Sequence, residues 1–492
     1  MLLLLIGLAS VLYLFNELYW KRRNLPPGPT PLPLFGNLLE IRFKSNCYEA
    51  YRDWHKKYGP VHTYWFGTMP VIAISDYETI KETVIKDGEK YVDRWFFKPF
   101  NKDFRGGDYG VIFSEGALWR DQRRLTIHTL RDFGMGRNIM EERAMIEVEI
   151  MLERLAKNPK NVNMQSEFDI AVGSIINNIL FGYRFDDEHL DEFDYLKKAL
   201  RNFVTKGSDP RFIIANLSSL LRSTPGIKGI YEDLVNEGVC IKEFIKRQIA
   251  EKRRTIDYGN NESDDFVESY LKEWEKKKGT QQEEYFFEEQ LVSVVFDVWT
   301  AGMETTSNTL TWAICYILND QKVQDRIHAE LDRVIGSDRK VTMADKNDLP
   351  YVNAVVSEAQ RMANLLPQNL FRVTNEDVKI QGYHIPKGSV VCPQISCVLY
   401  DDKVFPDPYK FKPERFLNAD GSYRKYEELV PFSVGKRQCA GEGLARLELY
   451  IFIANIFQTF KISSKNKPST AKTIGQVVTA LPYTCDFEPR QR

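Results

Sequence analysis

"PFSVGKRQCAGEG", residues 431–443, is the stretch on which the reading of this chain turns. One cysteine stands among three glycines and two adjacent basic residues, with no second cysteine or histidine nearby. A free cysteine ordinarily behaves as a small buried hydrophobe, but these neighbours argue for chemistry. Gly435 and Gly441 flank Cys439 and permit backbone turns that a side chain blocks. Lys436 and Arg437 put positive charge beside the sulfur, which favours thiolate over thiol. After Gly443 the run "LARLELYIFIANIFQTF" is apolar at helical spacing. Cys439 is therefore expected on a glycine-rich loop at the entry to a long buried helix, whose N-terminus also favours an anionic sulfur.

A lone thiolate has few uses. Structural zinc asks for four ligands, and a cysteine nucleophile asks for a neighbouring base. Haem iron asks for one axial protein ligand, and thiolate is among its standard choices.

Working outward, 492 residues with 43% hydrophobic and 27% charged side chains describe a globular chain able to bury a large core. Length alone suggests about three domains, yet no break in composition marks a second one. The net charge of −1 argues against a nucleic-acid partner. Seven cysteines, an odd number without a CxxC, argue against a disulfide framework.

The chain opens with "MLLLLIGLASVLYLFNELYW" and then "KRR". Some 20 mostly apolar residues suffice to span a bilayer. The charge follows the run rather than preceding it, unlike a cleaved leader. Residues 1–20 are expected to form a transmembrane anchor, and the positive-inside rule places everything after Lys21, Arg22 and Arg23 in the cytosol. The basic and proline-rich segment 21–37 reads as a stiff spacer. Residues 38–492 read as one catalytic domain.

Within it, residues 46–90 read as helix, two short strands ("VHTYWF", "VIAIS") and helix, and 95–113 as a loop rich in Phe, Lys and Gly. From about 115 to 320 long amphipathic helices dominate. "GNNESDD" and "EKKKGTQQEE" read as polar surface, and "VKIQGYHIPKGSVV" as a hairpin. The expected class is mainly α with a minor β-sheet region.

Three further patterns carry chemistry. Val292–Leu318 reads as a long apolar helix interrupted at its centre by Gly302, Glu304, Thr305 and Thr306. A Thr hydroxyl bonds the carbonyl one turn back and opens the ladder. Beside a small residue this makes a groove for water, where an acid and an alcohol could relay protons. Glu358 and Arg361 in "SEAQRM" face the same way at i and i+3, and Arg415 in "FKPERF" is a second arginine for the same acid; buried together, the three would fix geometry. In "ALWRDQRRLTIHTLRDFGMG", Trp119 and Arg123 share one helix face and Arg120 and Arg124 the next, with forked donors suited to carboxylates.

Together these resemble the cytochromes P450. The spacing of Phe432, Gly435, Arg437, Cys439 and Gly441 resembles the haem-thiolate signature. Ala301–Thr305, Glu358 with Arg361, "PERF" at 413–416, and Trp119 with Arg123 occur in the family's order. "LRDFGMGR" and "FGYRF" resemble the microsomal, family-two-like group of animals. The resemblance implies the P450 fold behind an N-terminal anchor helix. It implies haem b with Cys439 as axial iron ligand, and Trp119, Arg123, Arg437 and Arg94 of "YVDR" on the propionates. Related enzymes often carry a His propionate contact where this chain has Phe371; Arg372 is the adjacent candidate. Substrate is expected at the 95–113 loop, Phe296, Asp297, Ala301, Leu366, Leu370 and the turn 477–482.

The implied activity is a membrane-anchored monooxygenase that hydroxylates or epoxidises an apolar substrate such as a fatty acid, steroid or drug-like molecule, with Thr305 and Glu304 guiding protons. NADPH–cytochrome P450 reductase is the implied electron donor and cytochrome b5 a second partner. Arg120, Arg124 and Lys436 are candidates for a cationic docking face. The implied location is the endoplasmic reticulum membrane, with the catalytic domain in the cytosol. An isomerase or dehydratase of the same fold and a non-catalytic haem-binding protein remain the alternatives.

Overall fold

The computed structural model describes the whole chain except residues 45–46, 133–138, 261, 337–338, 474, 476 and 491–492. The latter half of "LRDFGMGR" therefore lies outside the described residues.

Among the described residues nine short strands punctuate a mainly helical molecule: β1 (Val61–Phe66), β2 (Met69–Ile74), β3 (Asp93–Arg94), β4 (Arg372–Val373), β5 (Val378–Ile380), β6 (Tyr383–Ile385), β7 (Val390–Pro393), β8 (Phe460–Ser463) and β9 (Asp486–Pro489). The main sheet runs β1-β2-β7-β4-β3. β2 and β7 pair in parallel and the other neighbours are antiparallel. β5 and β6 form the expected hairpin, turned by Gln381 and Gly382, both at positive φ. The sheet matters to the site because β3 and β4 set Arg94 directly opposite Arg372.

The central helix is Glu288–Asn319, longer at both ends than its apolar run. It packs against Met164–Phe181, Lys228–Thr255, Pro350–Ala363 and Glu442–Thr459. The first of these comes close at Gly302: a Cβ there would lie 2.5 Å from Ile176 Cδ1. The small residue expected beside a groove is thus not Gly302, which faces a neighbouring helix.

Two other expectations need correcting. The 95–113 segment is not all loop, since Lys98–Arg105 is helical, with Pro99 in its first turn and Gly106 left-handed at its end (φ 81°). Phe100 and Phe104 hold that helix down against Phe203 and Phe212. Asp265 of "GNNESDD" is buried rather than solvated, caps the helix Phe266–Lys277 and pairs with Lys252.

At the N-terminus, Leu2–Leu18 is helical and exposes Leu4, Leu5, Ile6, Leu8, Val11 and Leu12. Its 17 residues reach about 26 Å at 1.5 Å per residue, short of a bilayer core of about 30 Å. No helix among the described residues is long and apolar enough to cross a membrane. The proline-rich segment is no free spacer along its second half. Pro27 O accepts from Thr63 N at 2.9 Å, and Asn37 exchanges two hydrogen bonds with the Trp65 backbone.

Candidate active site

The cysteine loop begins at Gly435, whose positive φ of 71° and approach to Val84 O, 2.2 Å from any Cβ, admit only glycine. Ser433 also sits at positive φ, with its hydroxyl accepting from Asn369 Nδ2 at 3.1 Å and Arg372 Nη2 at 3.3 Å. Cys439 N donates to Phe432 O, and the helix Glu442–Thr459 starts three residues on, as the sequence predicts. Cys439 is exposed at its surface, yet protein crowds the sulfur. Loss of hydration, aided by Glu442, therefore holds its thiol above the ordinary value, against the Gly441 N–H and Arg123.

The cation near the sulfur is thus Arg123, not the pair that the sequence suggested. Lys436 turns outward to Glu89 at 3.0 Å, and Arg437 turns inward to backbone carbonyls. The protein alone does not make the thiolate; a bound metal cation would, because it deprotonates a coordinating thiol outright.

Around this loop four guanidiniums converge. Arg437 donates to Val92 O at 2.6 Å and Ser114 O at 2.7 Å, and stacks on Trp119 with 3.8 Å to the ring centre. Arg94 donates to the carbonyls of Ile112, Leu370 and Phe371, each at 3.2 Å. Arg123 reaches Gln438 O, and Arg372 reaches Val434 O at 2.6 Å. Among the described residues none of the four has a carboxylate within 4.0 Å. Burial and the other guanidiniums push Arg437 down to about 7, Arg372 to about 9 and Arg94 to about 10. Arginine keeps its proton under such pressure, so the cluster is a positive field awaiting an anion. Arg372 Nε and Nη1 and Trp119 Nε1 are buried donors without partners among the described residues. This donor set fits the two carboxylates of a haem beside a single cysteine ligand. Phe371 packs on Phe66 and Trp95.

On the central helix, Ala301 is exposed and Thr305 half-buried in a span that is otherwise mostly buried. Thr305 Oγ1 donates to Ala301 O at 2.8 Å, the same bond one turn back that Thr309 and Thr311 make further along the helix. Glu304 does not join it. Its carboxylate takes Lys197 Nζ at 2.8 Å and Asn308 Nδ2 at 3.0 Å, and Lys197 also holds Asp169 at 3.0 Å. Burial raises the Glu304 carboxyl, but Lys197 and Asn308 more than offset this and hold it below the usual range. The acid–alcohol pair of the sequence is therefore split between two sides of the helix. Lys197, a hundred residues upstream, carries no local pattern that would have exposed it.

Leu366 and Leu370 line a cavity of about 230 Å3 together with Phe96, Phe100, Phe113 and Phe371. Phe296, Asp297 and Ala301 are not among its lining residues. Phe296 packs on Phe104 and Phe203. Asp297 is buried, pairs with Arg105 at 2.7 Å and accepts from the Val111 and Ile112 amides. Of the turn expected at 477–482, Val478 is buried under Trp312, while Gly475 just before it lines the cavity. A larger surface groove of about 490 Å3 lies beside Asp103 and Arg222, which pair at 3.1 Å.

Glu358, Arg361 and Arg415 are brought together and buried: Arg361 Nε lies 2.7 Å and Arg415 Nε 3.1 Å from the Glu358 carboxylate. Arg120 and Lys436 both approach Glu89 on an exposed face, whereas Arg124 pairs with Asp121.

Residues 26–487 match the family model described as Cytochrome P450. Cytochrome P450 2C20 of Macaca fascicularis is 36% identical over 473 residues, 95% of either chain. Cytochrome P450 2H1 of Gallus gallus is 34% identical over 494 residues, 99% of this chain and 98% of its own. Cytochrome P450 2C8 of Homo sapiens is 35% identical over 474 residues, 95% of either chain.

Proposed function

The chain belongs to the cytochrome P450 family, in its animal family-two-like group, as a haem-thiolate monooxygenase, and on that premise we propose the roles of its residues. Cys439 would supply the thiolate that holds the haem iron. Arg94, Trp119, Arg123, Arg372 and Arg437 hold the propionates, so that Arg372 supplies the contact that Phe371 cannot. The observation that carries this assignment is the convergence of four guanidiniums on the cysteine loop, with no carboxylate within 4.0 Å of any of them among the described residues. Haem bound there supplies the activation of dioxygen.

The chain's own residues do the rest. The aromatic cavity strips water from an apolar substrate and presents it. Thr305 Oγ1 handles protons on the side of the helix that Ala301 leaves open. Glu304, tied to Lys197, anchors the central helix and reaches Thr305 only by breaking that pair. The substrate is an apolar molecule of fatty-acid, steroid or drug-like kind. Electrons come from NADPH–cytochrome P450 reductase, with cytochrome b5 as a second partner, docking on the face that carries Arg120, Arg124 and Lys436. The exposed apolar helix Leu2–Leu18 fastens the protein to the endoplasmic reticulum membrane, with the catalytic domain on the cytosolic side.

The test is reconstitution with reductase and NADPH against an apolar library. Monooxygenation consumes NADPH and dioxygen and yields a product heavier by one oxygen atom. An isomerase or dehydratase would turn over without either, and a haem carrier would not turn over.

A further inference from the structure

We propose that Lys472 is a positioning residue that fixes the substrate preference of the cavity by riveting two of its walls together. This rests on the reading of the aromatic cavity as the substrate site.

The first wall is the segment that follows the helix Pro350–Ala363, with Leu366 to Phe371 on the cavity. The second is the turn that starts at Lys472 and puts Gly475 on the cavity. Lys472 Nζ donates to Met362 O at 2.5 Å, Ala363 O at 2.7 Å and Tyr400 Oη at 2.8 Å. Each of these acceptors can take one proton of the ammonium. Two of them are the last carbonyls of the helix, where a cation is favoured. The ammonium also lies over the rings of Tyr48 at 5.1 Å, Tyr400 at 5.4 Å and Trp312 at 5.6 Å, so a charge half out of water is compensated on every side.

The turn has its own closure. Thr473 and Thr479 join through their hydroxyls at 2.8 Å, and Lys472 bridges Ala480. It is fastened to the first wall at one more point, Val478 N to Leu365 O at 2.9 Å, and to the central helix through Trp312 Nε1 to Val478 O at 3.2 Å. Lys472 therefore sets where the paired Thr473 and Thr479 sit against the helix end. An arginine would not replace it, since a planar fork does not fill a tripod of acceptors.

The test uses the full-length holoenzyme and two probes that bind haem iron and lay a tail in the cavity, N-propylimidazole and N-octylimidazole, titrated by the Soret shift. In Lys472→Met the ratio of octyl to propyl affinity rises by roughly tenfold, the size of effect that a methylene's fit has in an apolar pocket. Tyr400→Phe, which keeps the ring and removes one acceptor, moves the ratio the same way by less. The ferrous–CO spectrum stays that of wild type in both. An unchanged ratio in Lys472→Met, or in Tyr400→Phe should Lys472→Met fail to fold, overturns the rivet. A wild-type enzyme that does not distinguish the two probes overturns the reading of the cavity itself.

Discussion

Arg94 and Arg372 stand directly opposite one another on antiparallel β3 and β4, like charges in cross-strand register. Such a pair costs about 0.2–1 kcal/mol even at a surface, and Arg372 is 1% exposed. A dianion between them converts that cost into charge-assisted hydrogen bonds. Arg372→Gln should therefore stabilise the haem-free protein slightly while weakening its hold on haem by about 1.5–3 kcal/mol. Thermal unfolding of the apoprotein and the rate of haem transfer to an acceptor protein measure the two signs; the same sign in both would refute the cradle.

Cys439→His should keep the fold and abolish the red-shifted Soret band of the ferrous–CO complex that a thiolate ligand gives. The same band in the variant would move the axial ligand elsewhere.

Thr305→Ala removes a hydroxyl that bonds only one turn back along its own helix, so haem binding and folding should survive. A positioned proton-transfer group is worth about 10²–10⁴-fold in its step. NADPH oxidation should continue while product falls and hydrogen peroxide rises per turnover, with Thr305→Ser milder. Unchanged coupling in the alanine variant would reduce Thr305 to packing.

The Lys197–Glu304 pair should show in the acid limb of stability. The folded Glu304 carboxyl lies below its ordinary 4.5, so its contribution is fully present above that pH and fades as pH falls through the lower folded value. Glu304→Gln should flatten the stability–pH curve there. Its cost at neutral pH should be less than the ~3–5 kcal/mol of a stranded buried charge, because Lys197 retains Asp169. Denaturant midpoints of the two proteins across the acid range decide it.

Removing residues 1–20 should raise solubility and leave haem binding intact, whereas removing residues 1–37 should destabilise the fold, since Pro27 and Asn37 bond along β1. Equal thermal midpoints for the two truncations would show the docked segment to be dispensable.

What was legible in the sequence was what short-range spacing encodes. The Cys439 loop and the helix after it, the broken apolar run of the central helix and the Glu358, Arg361 and Arg415 triad all follow from residues a few positions apart or from fixed motifs. The partner of Glu304 was not legible, because Lys197 arrives from another helix and nothing local marks it. The direction of Lys436 was misread because charge beside a cysteine in sequence says nothing of which way the side chain turns, and Glu89 drew it outward. The helix Lys98–Arg105 was hidden because its aromatic residues have poor helix propensity; tertiary packing of Phe100 and Phe104 makes it. Arg372 stood in plain view beside Phe371, but only strand pairing reveals that it points into the cradle.

The segment 110–115 has two allegiances. Its amides at Val111 and Ile112 serve Asp297 on the central helix, while its carbonyls at Ile112 and Ser114 serve Arg94 and Arg437. One short strip of backbone thus ties the central helix on one flank to the guanidinium cluster on the other, and neither can shift it without the other registering the change. By thermodynamic reciprocity, whatever factor a tightly seated substrate adds to cofactor retention, the cofactor must add to the affinity for that substrate.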